Sequence, residues 1–200
     1  MSDTNTEVMR IRLRMIDLIK SFFVSSPDAE RLSRWRGTFA AMAKEQISPI
    51  LDKAVRELNA QLTSKKLEDI QDEYYALFTD PFGENQLNLN ASQYFDGRNY
   101  GETLISVRDF LSKAQVVKAD SVTAPEDSLP VLFDMLGTLL EMEKDGQNTE
   151  AMQQILVKEY LVSFLDRLAP EVEKNPSADF YQRCISFIAG YLDLEKSMAG

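Results

Sequence analysis

The chain has 200 residues, which suits one domain or two small ones and allows a sizeable hydrophobic core. Its 32 acidic residues outnumber its 22 basic ones, and the resulting net charge of −10 argues against general nucleic-acid binding, which requires a basic surface. A basic peptide or protein is the partner that this charge favours, although the same charge also serves simply to keep a protein in solution.

The N-terminal third shows the three- and four-residue spacing of apolar side chains that is typical of amphipathic helices. This spacing predicts a first helix over about residues 6–24. Ser26 supplies an N-cap and Pro27 a first-turn residue for a second, short helix, which we expect to end at Gly37.

Further helices follow in the same pattern. One helical stretch begins near Thr38, and Ser48 followed by Pro49 restarts it as a helix that continues to Leu62. Another helix is predicted over about residues 64–78, because the sequence Asp-Pro-Phe-Gly that comes next stops helices.

A long irregular loop is predicted over residues 79–100, before a helix over about residues 101–114. The aromatic residues of this loop include Phe82, Tyr94 and Phe95. Loops of this length inside compact domains are usually functional or disordered, and the aromatic residues argue against disorder.

Residues 115–128 form a predicted hinge segment, in which proline, hydroxyl and acidic residues interrupt the helical pattern. The helix that follows is expected to begin at Asp127 or Ser128, since either start places Pro130 in the first turn, where its missing N–H is harmless. With Glu126 beside Asp127, the hinge segment is acidic and suited to a basic ligand.

Three helices are predicted after the hinge segment. The first ends at Gly146, the second is capped by Thr149 and runs to Pro170, and the third follows Pro176. The expected fold is therefore all-α: a single compact domain of about eight to ten helices in two halves, residues 6–114 and residues 129–198, joined by the hinge segment.

Several classes of chemistry lack the residues they need. The chain has no histidine and one cysteine, Cys184, which we expect to be a buried, inert thiol. No phosphate-binding or dinucleotide-binding glycine motif is present, and carboxylate pairs such as Glu141 and Asp145 suit a solvated helix face. We therefore predict no enzyme activity, no metal site and no cofactor.

The first residues, Met-Ser-Asp-Thr-Asn-Thr-Glu, are polar and acidic, so no secretory signal is predicted. No apolar run is long enough to span a membrane. A single cysteine also fits a reducing compartment, and a cytoplasmic location is expected.

Segments in three regions of the chain resemble the TorD/DmsD/NarJ family of cytoplasmic chaperones, which assist the maturation of molybdenum-containing oxidoreductases. The first is Glu-Tyr-Tyr-Ala-Leu-Phe at residues 73–78, followed by Ala-Ser-Gln-Tyr-Phe-Asp-Gly at residues 91–97. The second is Ala-Pro-Glu-Asp-Ser at residues 124–128, which is similar to the family's Glu-Pro-x-Asp-His motif. The third is Ala-Asp-Phe-Tyr at residues 178–181 with Leu-Asp-Leu-Glu at residues 192–195.

The second segment departs from the family pattern at two positions. Ala124 stands where the family usually has glutamate, and Ser128 stands where it usually has histidine. The proline and Asp127 are retained. Because Ser128 replaces the histidine, no mechanism that depends on a titrating imidazole at this position can operate.

The resemblance implies a system-specific cytoplasmic chaperone that binds the twin-arginine signal peptide, the apo form, or both, of a molybdenum-cofactor oxidoreductase. Such a chaperone assists cofactor insertion and delays export, and its partner is the catalytic subunit of the oxidoreductase. The residues expected to bind the signal peptide or client are Tyr74, Leu77, Phe78, Tyr94, Glu126, Asp127 and Ser128.

Alternatives remain open for these residues and for the chain as a whole. Leu77 and Phe78 share a helical stripe with Ile70, which is also the pattern of ordinary core packing. Asp127 is also suited to be a helix cap. The chain is alternatively a helical scaffold or regulatory interaction protein without signal-peptide binding, and a flexible hinge permits either a monomer or a domain-swapped dimer.

Overall fold

The computed structural model describes residues 3–198, and the regular elements in this range are helices apart from one isolated bridge pair, Asn90 with Ser128. The all-α class predicted from the sequence is confirmed. No helix within the described range has both the length and the apolarity needed to cross a membrane. The helices are α1 (Asp3–Ser21), α2 (Ala29–Met42), α3 (Pro49–Ser64), α4 (Leu67–Tyr74), α5 (Ala91–Asp96), α6 (Glu102–Ala114), α7 (Leu129–Lys144), α8 (Glu150–Ile155), α9 (Ser163–Lys174) and α10 (Phe180–Met198).

Two of these helices continue directly into π-helical segments. α4 runs on into Tyr75–Thr79, where the Asp80 N–H donates to the Tyr75 carbonyl oxygen at 2.8 Å. α8 runs through Leu156–Val162 into α9. The wider i→i+5 turn of a π-helix is rare and frequently occurs at functional sites.

Local capping explains where α2 and α3 begin. The Ser48 hydroxyl accepts a hydrogen bond from the Leu51 N–H at 3.3 Å, and Pro49 occupies the first turn of α3, as predicted. α2 begins two residues later than Ser26 and Pro27 suggested. Asp28 is its N-cap, and the Asp28 carboxyl accepts from the Arg31 N–H at 2.7 Å.

Three sequence predictions about helix ends and loops are wrong. α2 continues through Gly37, and α9 contains Pro170. Each of these helices is held on both sides of the unfavourable residue by fully buried side chains, such as Trp35 and Phe39 in α2. Core packing of this kind outweighs an intrinsic cost of about 1 kcal/mol for glycine and about 3 kcal/mol for proline. The third error is the predicted loop over residues 79–100, which contains α5.

The described chain divides into two compact units. The first unit consists of the chain up to Lys20 together with residues 89–164, and the second of residues 21–88 together with residues 165–198. The predicted hinge segment, residues 115–128, lies wholly within the first unit. Its role as a hinge between two halves stays a prediction.

A chain of hydrogen bonds joins three helices of the first unit. The Thr149 hydroxyl donates to the Leu139 carbonyl oxygen at 2.7 Å and accepts from Gln153 Nε2 at 2.9 Å. Gln153 Oε1 in turn accepts from Arg12 Nη2 at 3.0 Å. Thr149 therefore precedes α8 as predicted, but its side chain ties α8 to α7 instead of capping α8.

The second unit is built around buried aromatic rings and a close contact between α3 and α10. Trp35 stacks on Phe180 with ring centroids 5.7 Å apart, and its indole N–H donates to the Ser21 hydroxyl at 2.8 Å. On α10, Gly190 faces the backbone of α3: a β-carbon there would lie 2.9 Å from the Leu51 Cα atom. The two helices approach this closely because Gly190 has no side chain.

We expect Gly190→Ala to lower the free energy of unfolding by about 1–3 kcal/mol, because the added methyl group would overlap the Leu51 backbone. Urea denaturation followed by circular dichroism measures the change. Gly37→Ala is the matched control, since Gly37 is exposed within α2 and a β-carbon added there would have no neighbour within 4 Å. The free energy of unfolding of Gly37→Ala should rise by about 0.5–1 kcal/mol. An equal rise for Gly190→Ala would contradict the close packing.

Candidate functional site

The acidic end of the hinge segment pairs with the residues that lead into α5. The Ala91 N–H donates to the Asp127 carbonyl oxygen at 2.9 Å, and the Leu129 N–H donates to the Leu89 carbonyl oxygen at 2.8 Å. These two bonds flank the bridge between Asn90 and Ser128. Because α5 and α7 start immediately after this bridge, their N-termini are held side by side.

Asp127 is fully buried at this junction, with 0% of its surface exposed. Its Oδ2 atom accepts a hydrogen bond from the Ser92 N–H in the first turn of α5 at 2.8 Å. Asp127 is therefore a helix cap, but for α5 and not for α7, the helix that follows it in sequence. Ser128 is the N-cap residue of α7, one of the two predicted starts, and its side chain makes no capping hydrogen bond.

Unused hydrogen-bonding capacity is concentrated around Asp127. Its Oδ1 atom and the hydroxyl oxygens of Ser92 and Ser128 are buried, and none of the three has a hydrogen-bond partner among the described residues. Buried polar atoms are normally paired, because an unpaired group costs about 1–3 kcal/mol. A carboxyl oxygen and two hydroxyl groups are suited to accept hydrogen bonds from a polar or cationic ligand.

Glu126 is paired with two cations of the chain itself. Its Oε2 atom accepts from Arg108 Nη2 at 3.0 Å, and its Oε1 atom lies 3.9 Å from Lys118 Nζ. Burial would raise the pKa of the Glu126 carboxyl, but the hydrogen bond from Arg108 and the charge of Lys118 outweigh it, so the pKa is lowered. Glu126 and Asp127 are therefore neighbours with different partners: Glu126 faces two cationic side chains, whereas Asp127 accepts from a backbone N–H.

The aromatic and aliphatic residues predicted for the site fall in different units. Tyr94, on α5, lies in the first unit and packs against Phe164 with ring centroids 5.4 Å apart. Tyr74, Leu77 and Phe78 lie in the second unit. Only Tyr94 thus belongs to the same unit as Glu126, Asp127 and Ser128.

Tyr74 and Phe78 belong to an aromatic cluster. Their ring centroids are 5.2 Å apart, and the Phe78 and Tyr181 rings are nearly perpendicular with centroids 5.0 Å apart. The Tyr74 hydroxyl donates to the Phe23 carbonyl oxygen at 3.3 Å, and burial raises the pKa of that hydroxyl. Leu77 is fully buried, as expected for core packing.

Glu73 is a buried acidic residue whose role was missed in the sequence. Its carboxyl group accepts hydrogen bonds from three successive backbone N–H groups at the start of α10: Asp179 at 2.8 Å, Phe180 at 3.0 Å and Tyr181 at 2.8 Å. Lys65 Nζ lies 3.6 Å from the same carboxyl. The signal was present, because Glu73 lies on the apolar stripe of its helix, three residues after Ile70 and four before Leu77.

Lys65 closes the network around Glu73. Besides Glu73, its Nζ atom contacts the Asp179 carboxyl at 2.9 Å. Partial burial would lower the pKa of the Lys65 amine, but the hydrogen bond to Asp179 and the charge of Glu73 outweigh this effect, so the pKa is raised. The start of α10 is thus anchored by one buried carboxyl and one lysine.

These features define an all-helical protein in which buried carboxyl groups hold helix ends and an acidic junction carries unused hydrogen-bonding groups. No cluster of three or more potential metal-ligating side chains occurs among the described residues. The chain belongs to the nitrate reductase delta subunit family, whose model matches residues 44–170. The resemblance to the TorD/DmsD/NarJ chaperones is confirmed at the level of the family.

A solved structure supports the fold. The chain is similar to an Archaeoglobus fulgidus protein whose crystal structure is assigned as a redox enzyme maturation protein, with a TM-score of 0.52. The match covers 91% of this chain and 93% of that chain at 19% sequence identity, a level that supports the shared fold alone. No curated protein sequence matches the chain.

We expect Glu73→Ala to lower the free energy of unfolding by about 2–4 kcal/mol, because three N–H groups at the start of α10 would lose their acceptor. Glu73→Gln should lose less, since its amide oxygen still accepts. Asp72→Ala, at the exposed neighbouring position, is the control and should change stability by no more than about 0.5 kcal/mol. If urea denaturation shows the same loss of unfolding free energy for Asp72→Ala and Glu73→Ala, the capping role of Glu73 is contradicted.

Proposed function

We propose that the chain is a cytoplasmic maturation chaperone for a molybdenum-cofactor oxidoreductase. The observation that carries this proposal is membership of the nitrate reductase delta subunit family across residues 44–170. The likeness to a protein assigned as a redox enzyme maturation protein is consistent with it. The proposed role is binding and protection of a client protein, not catalysis.

In finer detail, we propose that the chain binds the client's twin-arginine signal peptide, its apo form, or both, until the cofactor has been inserted, and so delays export. Such a peptide combines a basic end with an apolar helical segment. Its receptor needs anionic groups beside an apolar, aromatic-lined surface. The net charge of −10 favours a cationic partner of this kind.

The acidic junction is the part of the first unit best suited to the arginines. Glu126 supplies a carboxyl group near the surface, and Asp127 and Ser128 supply buried acceptor atoms without partners. Tyr94 lies in the same unit and is partly exposed. The contribution of Tyr74, Leu77 and Phe78 to binding stays a prediction, and the full burial of Leu77 favours packing for that residue.

A helical scaffold or regulatory protein without signal-peptide binding is the second candidate. It is favoured by one observation: both acidic residues of the junction already serve the chain itself. Glu126 pairs with Arg108 and Lys118, and Asp127 caps α5. A peptide arginine therefore has to compete for Glu126 or reach a buried carboxyl.

Calorimetric titration of the full chain with a synthetic twin-arginine signal peptide separates the two candidates. The peptide sequences are the signal peptides of molybdoenzymes that are co-expressed with the chain. A matched peptide in which lysine replaces both arginines is the control. We expect saturable binding that weakens between low and physiological salt and weakens further with the lysine peptide, which lacks the bidentate geometry of guanidinium. A pull-down from the native cell identifies the client directly. If the chain binds neither the signal peptide nor the apo form of any co-expressed client, the chaperone proposal is overturned.

We expect Asp127→Asn to weaken peptide binding by about 2–5 kcal/mol, because the side chain is fully buried and a contact to it would be desolvated. Asparagine keeps an oxygen that accepts from the Ser92 N–H, so α5 should stay capped. Glu45→Gln, at an exposed position between α2 and α3, removes the same charge and controls for long-range attraction. Unchanged affinity of Asp127→Asn for the peptide would make Asp127 a helix cap alone.

A further inference from the structure

The Glu126 carboxyl is enclosed by cations of the chain. Each of its oxygens faces one of them: Oε2 lies 3.0 Å from Arg108 Nη2, and Oε1 lies 3.9 Å from Lys118 Nζ. Only 14% of the Glu126 side chain is exposed. A carboxyl group that is mostly removed from water is costly to leave without a cation or a hydrogen-bond donor.

The two cations differ in how firmly they are held. The Lys118 side chain is 22% exposed, and its Nζ atom also donates to the Ala124 carbonyl oxygen at 2.7 Å, within the hinge segment. The Arg108 side chain is 56% exposed and reaches Glu126 from α6. An ion pair with so exposed a guanidinium contributes little to stability, because water solvates the released arginine well. Arg108 can therefore leave at small cost, whereas Lys118 stays.

We propose that Arg108 competes with the cationic partner of this protein for the Glu126 carboxyl. In the free chain its guanidinium occupies the Glu126 oxygen that a guanidinium of the bound peptide takes, and binding exchanges one arginine for another. The proposal rests on the proposed function and specifies how the same acidic junction is regulated. Because the exchange replaces one cation with another, the mostly buried Glu126 carboxyl remains paired throughout.

The exchange has a measurable consequence for affinity. The apparent dissociation constant equals the intrinsic constant divided by the fraction of molecules in which Arg108 is released. An ion pair whose guanidinium is this exposed, with Lys118 still beside Glu126, keeps that fraction between about one half and one fifth. Removing Arg108 should therefore tighten peptide binding by about twofold to fivefold.

Calorimetry with the full chain and the twin-arginine peptide tests this expectation. Arg108→Gln is compared with Arg98→Gln, which removes the same charge from an exposed arginine between α5 and α6. We expect Arg108→Gln to bind about twofold to fivefold more tightly than Arg98→Gln. In a Glu126→Gln background the two substitutions should have equal effects, because the contested carboxyl is gone.

The outcomes of this titration are distinguishable. Absence of peptide binding by the wild-type chain overturns the proposed function and this inference with it. Binding that is equal in Arg108→Gln and Arg98→Gln, or weaker in Arg108→Gln, overturns the competitor role alone. Arg108→Lys, which keeps a cation at this position, should lie closer to the wild type than Arg108→Gln does.

Chemical modification gives a second readout that a purely structural role of Arg108 would not move. Phenylglyoxal reacts with accessible guanidinium groups, and peptide mass spectrometry measures its rate at each arginine. Adding the signal peptide should speed the modification of Arg108 and leave that of Arg98 unchanged. Slower modification of Arg108 in the complex would show that it is covered by the peptide and not released.

Discussion

The first N–H groups of a helix have no partner within the helix, and this constraint shapes both units of the protein. Where a helix starts inside the protein, its N–H groups need an acceptor from elsewhere in the chain. Glu73 provides it for α10, with hydrogen bonds to three successive N–H groups. Asp127 provides it for α5 through the N–H of Ser92. A carboxyl group suits this position because it also interacts favourably with the positive end of the helix dipole.

The same contacts give a physical reason for the family resemblance. Of the segments that resemble the family, residues 73–78 contact residues 178–181 through the carboxyl of the first and the backbone of the second. Residues 91–97 are joined to residues 124–128 with the roles reversed: the Asp127 carboxyl of the later segment accepts from the Ser92 backbone N–H of the earlier one. Segments far apart in sequence thus form two capping pairs. The motifs mark places where one part of the chain holds the start of a helix in another.

This use of acidic residues changes what the net charge means for function. Glu73 and Asp127 are buried and engaged with backbone N–H groups, so they contribute less to the field outside the protein than their charges suggest. Glu126 remains near the surface but is shared with Arg108 and Lys118. Under the proposed function, binding of a basic partner at the junction therefore depends on exchange of cations and on unused acceptor atoms more than on the total charge of −10.

The sequence by itself determined the all-helical class, the start of α3 at Ser48 and the end of α7 before Gly146, because spacing and capping act over a few residues. It also pointed to the acidic junction by composition. The continuation of helices through Gly37 and Pro170, the presence of α5 and the cations around Glu126 were decided only by the tertiary structure. The physical reason is that burial of distant side chains outweighs local preferences of a few kcal/mol, and that capping partners many residues apart leave no local pattern.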